Sequence, residues 1–404
     1  MNKDKTMKQF TRRTFFKSVS LTLPFISLSG SSQIPPFNMS SNKVPVIDIT
    51  DLYHPPQDFD DTFDLTFPYA LPEIELLGVL LDVSHRYRIK YMGEGEQGWY
   101  SDPTGGREPG IIPVWQLNYL FDRAVPCAPC PFIPMARTTD PMTTRGIFEN
   151  QGLQLFKSLL EQSPQPVEVV SFGSARPIAV AMNRFPELLQ KKVKRIHLCA
   201  GSYPPGKMLE WNVKLDPDAF VRVISGNIPI YLYPCASEGN PFALGNYNTY
   251  WLLPNLEFMK EIDPRLLRYL VYAYSRSNRI DFLQVLEEEL PENDKSTLFQ
   301  RALNVWTLDV WFEVAKRLLV QRADGSYQII LSTEKKPGDH LLSGTFIPIK
   351  FRPLPDGNFE VEKQNGETPH RLFYRENPEK HQKALQEALP KLYKSFKTVS
   401  RNYN

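Results

Sequence analysis

Short apolar runs alternate with amphipathic stretches along most of this 404-residue chain, and no other feature restricts the fold as strongly. The runs have the length and aliphatic content of buried strands, whereas residues 152–163 repeat apolar residues at three and four positions, as helices do. Five strand-like runs are clear: KVPVIDIT (43–50), IELLGVLLDV (74–83), VEVVSFG (167–173), VKRIHLCAG (193–201) and IPIYLYP (228–234). Such strand–helix units predict an α/β, Rossmann-like fold with an open, mostly parallel sheet flanked by helices.

The second half of the chain has a different pattern. Residues from about 255 to 320 read as helical, including the whole segment 305–320. Asp356 and Gly357 lie between two strand-like runs and predict a hairpin turn, and a last helix over 377–396 is expected to be interrupted by Pro390. Since no stretch resembles a linker, residues 41–400 are predicted to form one large domain with a C-terminal helical segment and hairpin.

The first 40 residues read as an export signal rather than as part of the fold. Three lysines precede the pair Arg12-Arg13, and the apolar stretch 19–28 and several small residues follow. The pair and the Phe15-Phe16-Lys17 after it resemble a twin-arginine signal, which would place the protein in the periplasm or outside the cell. The alternative is an amphipathic N-terminal helix on a cytoplasmic protein.

The overall composition restricts the partners. Net charge is +2, so no strong field for nucleic acid is expected, and no apolar run after the N-terminus is long enough to span a membrane. Cys127 and Cys130 form a CxxC pair that suits a redox site, half of a zinc site or a local disulfide. No matching second pair of ligands is visible, while Cys199 and Cys235 read as core residues.

Polar residues collect where the predicted strands end. Ligand crevices of open parallel sheets lie at the carboxyl ends of the strands, so these residues are expected to share one edge. They are Asp48, Asp51, Asp58, Asp60, Asp61, Asp82, Ser84, His85, Ser174, Arg176, Glu210, Asn212 and Asp216, with Asp309 in a later apolar segment. Oxygen ligands without a matching His/Cys set favour calcium or, less so, magnesium. Taken singly, Asp309 suits a helix–helix salt bridge, Asp60 and Asp61 suit helix N-terminal acids, and Asn212 suits a turn cap.

In five blocks that occur in order, the chain resembles the inosine–uridine-preferring nucleoside hydrolase family. The blocks span about residues 43–395 and are VIDITDLYHPPQDFDDTFDL, ALPEIELLGVLLDV, VEVVSFGSARPIAVAMNRFPELLQKKVKRIHLCAG, LEWNVKLDPDAFVRVISGNIPIYL and VWTLDVWFEVA. The resemblance implies a pocket that holds one Ca²⁺ ion and hydrolyses N-glycosidic bonds of ribonucleosides, as a divergent member that carries a twin-arginine-type signal. A small ribosyl substrate is then expected, and homo-oligomers are left open.

The resemblance also implies roles for individual residues. Asp51 would bind calcium and act as general base on a bound water, Asp61 would be the second carboxylate ligand, and the backbone carbonyl near Arg176 and the carboxylate of Asp309 would complete the set. Substrate contacts would come from the side chains of Asp58, Asp60, His85, Glu210 and Asn212. A histidine acid expected before Asp309 is replaced by Leu308. His54 and His85 are candidates to replace it.

Departures from the family pattern keep three hypotheses open. The first turn is longer, so Asp58 competes with Asp51 and Asp60 for their roles, and Arg176 brings positive charge near the predicted metal. The chain is therefore interpreted as a calcium-dependent ribonucleoside hydrolase, as a hydrolase of another ribosyl or glycosyl compound, or as a sugar- or nucleoside-binding protein without turnover on the same fold.

Overall fold

The apolar runs form the strands of a parallel sheet in the computed structural model, which describes residues 43–85 and 107–399. The predicted export signal lies outside the described residues and stays a prediction. The strands in chain order are β1 (Val44–Thr50), β2 (Tyr53–His54), β3 (Ile74–Leu81), β4 (Glu108–Pro109), β5 (Cys127–Pro129), β6 (Val167–Ser171), β7 (Val193–Cys199), β8 (Ile230–Tyr233), β9 (Trp251–Leu253), β10 (Leu303–Val305), β11 (Arg317–Gln321), β12 (Tyr327–Leu331), β13 (His340–Leu341), β14 (Thr345–Pro353), β15 (Phe359–Lys363) and β16 (His370–Tyr374).

Nine of these strands form the main sheet of the described chain, in the order β15-β14-β16-β8-β7-β6-β1-β3-β5. The strands from β16 to β5 run parallel, and β14 and β15 add an antiparallel edge. From β1 the chain adds β3 and then β5 on one side before it crosses to β6 on the other. The strand order therefore reverses at β1, and the carboxyl ends of β1 and β6 border the crevice where such sheets bind ligands.

Helices cover the faces of this sheet. In chain order they are α1 (Phe59–Asp64), α2 (Thr66–Ala70), α3 (Ile111–Phe121), α4 (Ile147–Gln162), α5 (Arg176–Arg184), α6 (Pro186–Lys192), α7 (Trp211–Leu215), α8 (Pro217–Ile224), α9 (Pro264–Tyr274), α10 (Glu292–Phe299), α11 (Leu308–Val314) and α12 (Pro378–Lys394). Because both faces are covered, β1 buries six consecutive residues. The predicted single-domain α/β fold is confirmed, and no helix of the described chain has the length and apolarity to cross a membrane.

The last helix packs on the first. The ring of Tyr393 in α12 stacks on Phe63 in α1 with centroids 4.7 Å apart, and its hydroxyl lies 2.7 Å from the Thr66 hydroxyl. Both rings are fully buried in the main core cluster. The helix that follows the acidic turn is therefore held in place by a segment more than 300 residues further along the chain.

Three expected helical features differ in the structure. The segment 305–320 is a short helix, α11, followed by strand β11, because Lys316 adopts a left-handed φ of 55° and the leucines after it pair with β12. Residues 281–290 contain only the short 3₁₀ turn Gln284–Glu287. Helix α12 continues through Pro390, because the flanking Leu389 and Leu392 are anchored in the core and compensate the lost backbone hydrogen bond.

A buried acid on β6 makes stability depend on pH. Glu168 lies opposite Arg195 on β7 and accepts hydrogen bonds from Lys194 (2.9 Å) and His197 (3.2 Å). Burial raises its pKa, but the hydrogen bond from His197 and the charges of His197 and Arg195 outweigh burial and lower the pKa to about 2. The pKa of the folded state is thus below that of the unfolded chain. The stabilisation, about 3 kcal/mol, is present above pH 4.5 and lost as pH falls toward 2.

The Glu168→Gln variant tests this account. We expect it to unfold more easily in urea at pH 7 by up to about 3 kcal/mol, and to lose less stability than the unmodified protein between pH 5 and pH 3. Glu187→Gln, at the exposed start of α6, is the matched control and should leave both values unchanged. Equal acid sensitivity of the Glu168→Gln variant and the unmodified protein would contradict the prediction.

Candidate active site

The acidic turn after β1 is held by a side chain that the sequence does not single out. Residues 53–54 pair with 108–109 as the short ribbon of β2 and β4. Directly before β4, Arg107 is buried, and its guanidinium donates to the carbonyls of the two residues after β2, Pro55 (2.7 Å) and Pro56 (2.6 Å). Asp58 then caps α1 by accepting the N–H of Asp60 at 3.0 Å. The long first turn therefore has a defined conformation that directs its acids toward the sheet edge.

These acids line a cavity of about 370 Å³ at the carboxyl edge of the sheet. Its floor and walls combine carboxyl groups with aromatic and thiol side chains. The lining residues are Asp51, Gln57, Asp58, Asp60, Asp61, Phe172, Cys199, Glu210, Trp211, Asn212, Cys235, Pro241, Phe242, Trp306 and Thr307. Six of the nine residues to which the resemblance gives a role thus lie around one space, and they come from the turns and short helices that follow β1 and β7.

Mutual repulsion and burial make the acids of this cavity difficult to ionise together. Burial raises the pKa of Asp51 to about 8, and the nearby charges of Asp82, Asp58 and Glu210 add to the increase. Burial and neighbouring acids likewise raise the pKa values of Asp60 and Asp61 well above the usual range. A bound cation would offset this repulsion, because it favours the ionised form of every carboxyl group around it.

Glu210 and Asn212 shape the wall after β7. The Glu210 carboxyl accepts the backbone N–H groups of Gly201 (2.7 Å), Asn212 (3.0 Å) and Val213 (3.3 Å), while burial raises its pKa to about 7. The side-chain amide of Asn212 donates to the carbonyls of Phe172 (2.9 Å) and Cys199 (2.8 Å). Asn212 therefore joins the loops after β6 and β7 and has its amide oxygen left for a ligand.

The positive charge of Arg176 is paired with acids outside the cavity lining. Its buried guanidinium donates to Asp82 at 2.8 Å and lies 3.7 Å from Asp216. The other Asp82 oxygen accepts both the N–H (2.8 Å) and the hydroxyl (2.6 Å) of Ser174. The positive charge expected near the acids is thus neutralised within a buried cluster. Metal ligation by the carbonyl near Arg176 stays a prediction.

Asp309 and His85 do not line the cavity. The Asp309 carboxylate accepts a 3.1 Å hydrogen bond from the buried His381 of α12, whose other ring nitrogen lies 3.4 Å from Arg375. The contact joins α11 to α12, as the helix–helix pairing left open for Asp309 requires, with a partner 72 residues away. The His85 ring nitrogen Nδ1 lies 3.3 Å from the Phe132 carbonyl. Ligation by Asp309 and substrate binding by His85 remain predictions.

A second, enclosed pocket of about 10 Å³ lies beneath the cavity. It is lined by three acids, Asp48, Asp61 and Asp64, together with Thr50, Leu65, Phe172 and Trp311. Asp48 is fully buried with one oxygen unpartnered, and burial raises its pKa to about 8. Asp64 is not among the residues predicted for the site, although its spacing of three from Asp61 places both acids on one side of α1.

The donor set fits a hard divalent cation. Asp60 and Asp48 each bury one carboxylate oxygen without a hydrogen-bond partner, and no basic side chain lies among the described residues that line either pocket. Carboxylate oxygens are the ligands that calcium and magnesium prefer. Within residues 43–85 and 107–399, however, no three His, Cys, Asp or Glu side chains form a ready-made metal group.

The cysteines are free thiols in the structure. Burial raises the pKa of Cys127 to about 12 and that of Cys130 well above its usual range. A reactive thiol needs a lowered pKa, so the CxxC pair has the environment of a structural element. The other two, expected as core residues, are buried and contribute to the cavity wall.

Comparison with known proteins identifies the architecture. The purine-preferring ribonucleoside hydrolase from Gardnerella vaginalis superposes with a TM-score of 0.50 at 13% identity, covering 87% of this chain and 99% of that one. The chain has the nucleoside hydrolase fold. The five-block resemblance in the sequence is thereby confirmed for the fold.

Sequence similarity to nucleoside hydrolases is local. The pyrimidine-specific ribonucleoside hydrolases RihA of Citrobacter koseri and Salmonella arizonae are 31% and 32% identical over 84 residues, 20% of this chain. The match spans about a quarter (27%) of the length of these curated relatives. No family model matches the chain.

No histidine takes the place of the one expected before Asp309 in the described lining of this nucleoside hydrolase fold. All six histidines lie in the described part of the chain, and none of them lines the cavity there. His54 is buried against Tyr272, with parallel rings 5.8 Å apart, and burial lowers its pKa to about 4. In this conformation neither His54 nor His85 faces the cavity as a proton donor.

Proposed function

We propose that the protein hydrolyses the N-glycosidic bond of a ribonucleoside or a related ribosyl compound, in a calcium-dependent reaction with Asp51 as the general base. The observation that carries the proposal is the convergence of five carboxyl groups and Asn212 on one cavity, at the switch point of a nucleoside hydrolase fold. The local similarity to proteins named ribonucleoside hydrolases supports the choice of bond.

The proposed ligands for calcium are the carboxylates of Asp51 and Asp61. Both line the cavity, and the charge of Asp51 adds to the burial that raises the pKa of Asp61, a repulsion that a divalent cation would remove. A calcium ion bound there supplies Lewis-acid activation of the attacking water. Asp309 has one oxygen paired with His381 and the other buried without a partner, but unlike these two acids it does not line the cavity.

The chain's own residues account for the remaining steps. Asp51 accepts the proton of the attacking water. The ribose hydroxyls donate to carboxylate oxygens of Asp58, Asp60 and Glu210 and to the amide oxygen of Asn212. These oxygens can accept hydrogen bonds beyond those that they already accept within the protein. The same carboxylates stabilise the positive charge that develops at the anomeric carbon as the bond to the base lengthens. The aromatic side chains of the cavity exclude water around the base.

Turnover and calcium binding test the proposal together. We expect the protein to release reducing ribose from a panel of nucleosides, to stop in the presence of a chelator and to recover when calcium is restored. The Asp61→Ala variant should bind calcium at least about 100-fold more weakly by titration calorimetry and lose turnover, since a direct ligand matters at least as much as an outer-shell partner.

Two controls separate the alternatives. Asp309→Asn should change calcium affinity much less than Asp61→Ala, and an equal loss would restore Asp309 to the ligand set. The pairing of Asp309 outside the cavity keeps the binding-protein hypothesis as a second candidate. Ribose or nucleoside binding without ribose release, at any calcium concentration, would establish that candidate and overturn the hydrolase.

A further inference from the structure

The described lining of the cavity contains five acids and no base. Asp51, Asp58, Asp60, Asp61 and Glu210 contribute carboxyl groups, whereas Lys, Arg and His are absent from the described residues around the space. One divalent cation at Asp51 and Asp61 leaves the other three acids without a positive partner in this lining. A positively charged ligand is therefore favoured over a neutral one of the same shape, and an anionic ligand is disfavoured.

No histidine lines the described cavity, so the side chain that most often protonates a departing base is missing there. The carboxyl groups of Glu210 and Asp58 accept backbone N–H groups, which commits part of their hydrogen-bond capacity to the protein. A neutral purine or pyrimidine leaves as an anion unless an acid supplies a proton, whereas a base that leaves as a neutral molecule needs no such acid.

Aromatic rings form the mouth of the cavity. Trp306 packs against Tyr250 with centroids 5.3 Å apart and against Phe242 at 5.8 Å, and its indole N–H donates to the Pro241 carbonyl at 3.0 Å. Phe242 is 57% exposed although its ring is held in this cluster. Exposed, fixed aromatic faces bind planar rings, and they bind cationic ones most strongly.

We propose that the substrates of this site are N-ribosides whose base is a planar cation, of the N-ribosylpyridinium type. The inference rests on the proposed hydrolase function and names its substrate class. In the reaction the bond from the anomeric carbon to the ring nitrogen breaks, and its electron pair stays on nitrogen. The base leaves as a neutral pyridine and needs no proton. A water oxygen bonds to the anomeric carbon, and its proton passes to Asp51 and then to solvent.

Steady-state kinetics with matched probes test the substrate class. We expect kcat/KM for N-ribosylnicotinamide to exceed that for uridine and inosine by at least about 100-fold. Because a pyridinium riboside is intrinsically more labile, binding is measured separately by competitive inhibition. The cation 1-methylnicotinamide should inhibit about tenfold more strongly than neutral nicotinamide, the size expected of a partly desolvated cation–π contact.

Two Phe→Leu variants test which side chain causes the difference in inhibition between 1-methylnicotinamide and nicotinamide. Phe242→Leu should remove most of the difference between the two inhibitors, whereas Phe148→Leu, a similarly exposed aromatic outside the cavity, should preserve it. Equal inhibition by the two probes, or neutral nucleosides hydrolysed as fast as the pyridinium riboside, overturns the inference and leaves the hydrolase proposal standing. If no riboside of either kind releases ribose, the hydrolase proposal fails and the inference fails with it.

Discussion

The Asp51→Asn variant is expected to lower kcat for ribose release by about 10²–10⁴-fold, the range for losing a positioned general base. Asn keeps the shape of the side chain but cannot accept the proton of the attacking water. It also removes one of the acids that repel each other in the cavity, so the folded protein should be at least as stable as the unmodified one. Lost activity and retained stability together would distinguish a catalytic role from a structural one.

Activity is measured as reducing ribose released at saturating substrate and calcium, and stability by urea unfolding. Asp218→Asn, an acid in the first turn of α8 outside the cavity, is the matched control and should behave as the unmodified protein. The longer first turn left Asp58 as a competitor for the base. If Asp58→Asn abolishes turnover while Asp51→Asn stays within about threefold of the unmodified rate, the general base is Asp58.

The Arg176→Met variant should destabilise the fold by about 3–5 kcal/mol, because it leaves the buried carboxylate of Asp82 without its counter-charge. Met replaces the aliphatic part of the Arg side chain, so most of the loss reports the missing guanidinium group. Asp216, the second acid near the guanidinium, loses its partner as well. The measurement is the free energy of unfolding in urea at pH 7.

A double variant isolates the interaction. Adding Asp82→Asn to Arg176→Met should recover about 0.5–3 kcal/mol, since the unpaired charge is then removed. Lys194→Met, whose side chain is half exposed, is a control for loss of a positive charge elsewhere and should cost far less. A loss below about 1 kcal/mol in the Arg176→Met variant would show that the Asp82 carboxyl is not ionised in the fold.

The strand pattern and the acidic turn were readable from the sequence because both are local. Apolar runs specify buried strands, and the topology of parallel sheets brings their carboxyl ends together whatever the loop lengths are. Asp51, Asp61 and Glu210 therefore reach one cavity although they are distant in sequence. The antiparallel hairpin of β14 and β15 followed equally from the Asp356-Gly357 turn, where Gly357 adopts a φ of 92°.

Contacts between residues that are distant in sequence could not be predicted, because only tertiary packing brings these residues together. The apolar neighbours of Asp309 favour a ligand role, but one of its oxygens pairs with His381, which belongs to a helix with no local signal of this contact. Arg107 likewise holds the acidic turn from 50 residues away. The aromatic mouth escaped notice because Phe242 and Trp306 belong to irregular segments, and only the fold brings their rings together.

The stacking of Tyr393 on Phe63 has a consequence for biosynthesis. A nascent chain that has emerged only as far as β8 lacks Tyr393, the residue that packs on the helix after the acidic turn. The cavity proposed to bind calcium is therefore incomplete until translation has passed residue 393. Loading of the proposed ion would then follow the docking of the helix that carries Tyr393 and would be coupled to that folding step.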